Sequence, residues 1–99
     1  MKIYSINYER EVYLEENLTE EQLVVEFAKI LCDDQRRFGD EDDVDFGALL
    51  EWYYIDVFED GEEVYSDRLD SLLGYNKPLY DAIKAEFKKL GGKLYWAED

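Results

Sequence analysis

The stretch from Leu49 to Ser66 constrains the fold of this chain more than any other. It reads LLEWYYIDVFEDGEEVYS, two runs of aromatic and β-branched residues on either side of Asp60-Gly61. A two-residue Asp-Gly connection accepts φ > 0 at both central positions, which a tight hairpin turn requires. Strand side chains point alternately to opposite faces. One face of the first run therefore carries Leu50, Trp52, Tyr54, Asp56 and Phe58. The other carries Leu49, Glu51, Tyr53, Ile55, Val57 and Glu59. Large apolar groups on both faces predict a central strand, covered on one side and partly on the other. Carboxylates ring this hairpin: Glu51, Asp56, Glu59, Asp60, Glu62 and Glu63.

The remaining elements follow from spacing and end signals. Lys2–Tyr8 reads as a first strand with Tyr4, Ile6 and Tyr8 on one face, and Val12-Tyr13-Leu14 as a second short run or a continuation past a turn. Thr19 and Gln22 form a capping box, with Leu18 and Leu23 at the positions of a hydrophobic staple. Leu23, Val24, Phe27, Ile30 and Leu31 then recur at helical spacing, which predicts a helix over about residues 20–33. Residues 33–48, DDQRRFGDEDDVDFGA, read as a charged loop. Asp67–Gly74 reads as a short helical turn. Pro78 opens a last helix striped by Leu79, Ile83, Phe87 and Leu90, which Gly91-Gly92 ends. Residues 93–97 read as a final strand. The expectation is a single α+β domain over residues 1–99: an antiparallel sheet with two helices, in the ferredoxin-like βαββαβ order.

Charge is the other strong signal. The 99 residues hold 26 Asp and Glu against 11 Lys and Arg, a net charge of −15. Residues 1–76 carry 22 of the acids and 6 of the bases, while residues 77–99 carry 4 and 5. That excess repels itself in a compact state, and a small domain stays dissolved with a net charge of only about 2–8. Phosphate binding needs Lys and Arg, so nucleic acid is a poor direct partner and a basic protein surface a better one. The chain has no histidine and one cysteine, Cys32. This removes the commonest general base and any internal disulfide. A lone thiol behind an N-terminus unlike a signal peptide fits a reducing, cytoplasmic setting.

No spacing selects a catalytic pair, a nucleophile or a phosphate-cradling glycine loop. No enzyme activity and no cofactor are therefore expected. Asp40, Asp42 and Glu51 fit positions 1, 3 and 12 of a calcium loop, but Asp45 stands where that loop needs glycine, so no metal site is expected. The candidate partner-binding residues are the carboxylate rows: Glu20 and Glu21; Asp33, Asp34, Asp40, Glu41, Asp42, Asp43 and Asp45; and Glu59, Asp60, Glu62 and Glu63. Alternate residues on a strand lie about 6.6 Å apart and one-turn neighbours on a helix about 6 Å. Folded carboxylates can thus imitate a row of phosphates.

Small size, strong acidity, many tyrosines and an α+β pattern resemble the DNA mimics of phages and mobile elements, the anti-restriction and anti-CRISPR proteins. Glu51-Trp52-Tyr53-Tyr54-Ile55-Asp56 is similar to a Glu-Trp-x-Ile segment of plasmid antirestriction proteins, over about ten residues and with one extra residue here. The resemblance implies an inhibitor whose acidic surface occupies the basic DNA-binding channel of a host defence nuclease such as a CRISPR effector. The competing reading is an acidic interaction or regulatory module without mimicry, a homodimer through an exposed sheet edge.

Overall fold

The computed structural model describes residues 2–9, 12–42 and 51–92, with the backbone alone for 38–42. Strands β1 (Lys2–Tyr8) and β2 (Val12–Leu18) precede helix α1 (Glu20–Asp42). Strands β3 (Tyr53–Glu59) and β4 (Glu62–Arg68) follow, then a 3₁₀ turn (Leu69–Ser71), a one-turn helix α2 (Leu72–Tyr75) and helix α3 (Lys77–Lys89). The strands form one antiparallel sheet in the order β2-β1-β3-β4. The α+β class and the antiparallel sheet are as the sequence predicts.

The element order differs from the expected βαββαβ in one respect: Val12–Leu18 is a full strand ahead of the helix. β1 is antiparallel to both β2 and β3, so β2 and β3 point the same way with β1 between them. The split βαβ unit is therefore β2-α1-β3. β2 escapes a periodicity search because six of its seven residues are exposed. It also carries two register shifts against β1, between Tyr4 and Ile6 and between Ile6 and Asn7, and extra residues of this kind destroy strict alternation. The predicted strand at 93–97 falls outside the described residues.

The hairpin is built as the Asp-Gly dipeptide requires. Glu59 faces Glu62 across the turn, and Asp60 and Gly61 both take positive φ, 53° and 84°. α1 begins at its capping box, with the Gln22 amide donating to Thr19 Oγ1 at 3.2 Å and the Thr19 amide to Gln22 Oε1 at 3.0 Å. It continues to Asp42, nine residues past the predicted end. Leu23, Phe27, Leu31 and Gln35 are all buried at intervals of four, so the inward stripe runs on through a polar residue that an apolar pattern does not count. Asn76 caps α3 by accepting from the Leu79 amide.

Tyr4, Ile6, Tyr53, Ile55 and Val57 form the inner face of the sheet. They pack under Leu23, Phe27 and Leu31 of α1 and Leu79, Ile83 and Phe87 of α3. The Cys32 thiol donates to the Phe87 carbonyl at 3.4 Å, joining the two helices. Burial pushes this thiol upward, which disfavours the reactive thiolate. Gly92 closes the end of α3 against the core. A Cβ there would come within 2.5 Å of the Phe87 ring, so only glycine fits without movement. No helix of the described residues is long and apolar enough to cross a membrane.

Candidate functional site

The sheet register decides which acids meet. Lys2 faces Glu59 and Tyr4 faces both Leu18 and Val57. The end of β2, the first turn of α1 and the β3–β4 turn therefore lie at the same end of the sheet. Glu16 and Asn17 line one hollow with Phe58 and Gly61, and the Tyr4 hydroxyl donates to Glu20 at 3.1 Å. Glu16, Glu20, Glu21, Glu59, Asp60, Glu62 and Glu63 thus converge there, and all are exposed. Asn17 adopts the left-handed region, φ 57°, at the bulge that turns β2 into α1.

Tyr4 reports this field. Burial, then the hydrogen bond to Glu20, then the nearby carboxylates including Glu59 push its hydroxyl up to about 12. A folded-state value above the ordinary 10 means the native state holds the proton more tightly than the unfolded chain. The stability this contributes is complete below pH 10 and is lost as pH rises from 10 to about 12. Thermal melts of the native protein should fall across that window, and those of Tyr4→Phe should fall less steeply. Equal slopes would show that Tyr4 does not carry the effect.

The other predicted acids lie elsewhere. Asp33 and Asp34 sit at the opposite end: the Tyr53 hydroxyl donates to Asp34, and Tyr53 pairs with Tyr8 at the far end of β1. Fourteen residues of helix separate Glu20 from Asp34, about 21 Å. Asp33 is also engaged by Arg36 at 3.5 Å. Asp40, Glu41 and Asp42 belong to the last turns of α1 and not to a loop. Asp43 and Asp45 fall outside the described residues, as does much of the calcium-loop reading. Among the described residues no group of three or more His, Cys, Asp or Glu side chains is placed to hold a metal ion.

Asp56 is not part of the accessible charge. It is 2% exposed in the middle of the sheet's outer face, next to buried Ser5 and Asn7. Asn7 Nδ2 donates to it at 2.9 Å and Ser66 Oγ at 2.6 Å. The Tyr13 hydroxyl is raised chiefly by its charge. A buried carboxylate held by such donors is a structural group, and its loss would strand the donors.

The sequence also misses the groove at the Asp34 end, lined by Tyr8 and Tyr53 of the sheet, by Trp52 just before β3 and by Ile30 of α1. Its residues come from four separate segments, so no local motif announces it. No protein-family model matches this chain, and neither the curated proteins nor the solved structures contain a match to it.

Proposed function

We propose that this chain inhibits a nucleic-acid-binding protein, most concretely a defence nuclease such as a CRISPR effector. Its acidic sheet end would occupy the basic channel that normally holds DNA. The observation that carries the reading is the convergence of Glu16, Glu20, Glu21, Glu59, Asp60, Glu62 and Glu63 at one end of a single sheet. These carboxylates stand on paired strands, the tight turn between two of them and a capped helix, so their spacing is held by backbone geometry. Preorganised charge of this kind speeds encounter with a basic groove.

Pairing of two copies through a sheet edge has less support. Among the described residues, both edge strands carry register shifts, and bulges twist an edge away from further pairing. Each copy would also carry a net charge of −15, which opposes self-association.

Capture of basic nucleases at low and high salt tests the proposal. Binding should be strong at ~50 mM salt, largely lost at ~500 mM, and displaced by duplex DNA. Binding that survives high salt and ignores competing DNA would overturn it.

A further inference from the structure

Side chains of β2 and of the middle of α1 line an open groove of about 580 Å³ at the end of the sheet away from the acidic cluster. Val12 and Leu14 of β2 form one wall and Ile30 the other, while Tyr8, Trp52 and Tyr53 supply aromatic surface. Tyr53 is buried, with Tyr8 edge-on at 5.5 Å and Phe27 at 6.0 Å. Its hydroxyl donates to Asp34 and so positions that carboxylate at the groove. Among the described residues, Glu15, Asp33 and Asp34 contribute three carboxylates to the lining, against one cation, Arg37.

Aromatic faces beside carboxylates are complementary to an organic cation. The ring attracts positive charge over its face, and carboxylates accept charge-assisted hydrogen bonds. A purely apolar insert would take the half-buried Asp34 out of water with nothing in exchange. An anion would meet three like charges. A second copy of this chain is opposed by its own excess of acids. Among basic side chains arginine fits best, because its planar, weakly hydrated guanidinium stacks on rings and forks onto carboxylates.

We propose that this groove receives an arginine side chain presented by the partner protein, a second contact point that rests on the reading above of a basic partner. The two contacts differ in kind. The acidic end supplies steering through a field, whereas the groove supplies a shaped receptor for one residue, where discrimination between partners arises.

The test is a titration of the ¹⁵N-labelled full chain with acetyl-Gly-Arg-Gly-amide and with the same peptide carrying citrulline, the neutral isostere of arginine. The arginine peptide should shift the Trp52 indole and the Val12, Leu14 and Asp34 amides, and should bind at least ~10-fold more tightly than the citrulline peptide. Glu15→Gln, on an exposed strand, should weaken it ~3-fold. Equal binding of both peptides would overturn the proposal, as would shifts confined to Glu59–Glu63 or no shift at all. Groove resonances that broaden with protein concentration and without peptide would identify a second copy as the occupant, and would also overturn it. Failure here alongside salt-sensitive nuclease capture removes only the groove assignment. Success here with salt-insensitive capture removes only the mimicry.

Discussion

Reversal of Glu21, Glu59, Glu62 and Glu63 to lysine should weaken binding to a basic nucleic-acid-binding partner by at least ~100-fold, mostly through slower association. All four are exposed and lie where the β3–β4 turn meets the start of α1. The change replaces a concentrated negative field with a positive one facing the partner's arginines and lysines. A control reverses Asp67, Asp70 and Glu86, on β4, the 3₁₀ turn after it and α3, outside both the acidic end and the groove lining. It alters net charge by 6 where the first variant alters it by 8, and should cost less than ~5-fold at moderate salt, because charges beyond a Debye length of about 10 Å are screened. Surface plasmon resonance at two salt concentrations distinguishes the cases. Equal losses for the two variants would mean that net charge, and not its placement, drives binding. Neither variant should unfold.

Phe27→Ala should lower the unfolding free energy by about 3–5 kcal/mol and the melting temperature by roughly 15–30 °C. Phe27 is completely buried. It sits on the inward stripe of α1 with its ring edge against Tyr53, so it joins the helix to the central strand of the sheet. Truncation removes the ring's burial and leaves a cavity that neighbours on a sheet and two helices cannot collapse to fill. Val25→Ala, on the exposed side of the same helix, should change stability by less than ~0.5 kcal/mol. Guanidinium titrations of the two variants provide the check. A small loss for Phe27→Ala would mean that α1 does not pack on the sheet through this residue. Because Tyr53 also orients Asp34, a folded Phe27 variant should disturb the groove before it disturbs the acidic end.

Much of the local structure was legible in the residues themselves. Asp60-Gly61 sets the hairpin turn, Thr19 and Gln22 cap α1, Asn76 and Pro78 open α3, and the strips at Leu23–Leu31 and Leu79–Phe87 mark the buried helix faces. Each signal acts within a few residues, through side-chain hydrogen bonds, allowed φ values or a repeat that matches the helix. Two readings went astray where such signals fade. α1 continues past Asp33 because Gln35 occupies an inward position that apolar patterning passes over. β2 is a whole strand although its residues are exposed and its pairing is bulged.

The carboxylate rows were visible as sequence clusters, but their grouping was not. Glu20 and Glu59 stand 39 positions apart, yet both act on the Tyr4 hydroxyl. Asp33 and Asp34, close to Glu20 in the chain, are carried about 21 Å away by the rise of the helix. Asp56 looked like surface charge and is buried under donors from β1 and β4.

Composition, turn chemistry and caps, all written into the chain locally, determined that this is an acidic α+β protein with a tight central hairpin and two amphipathic helices. The tertiary structure alone decided the strand order, which acids share an end, and the existence of an aromatic groove beside Asp34. The reason is physical: backbone hydrogen bonds between strands are nearly blind to sequence. Which strands become neighbours is therefore settled by the joint burial of distant apolar faces, and the surface charges are placed as a consequence.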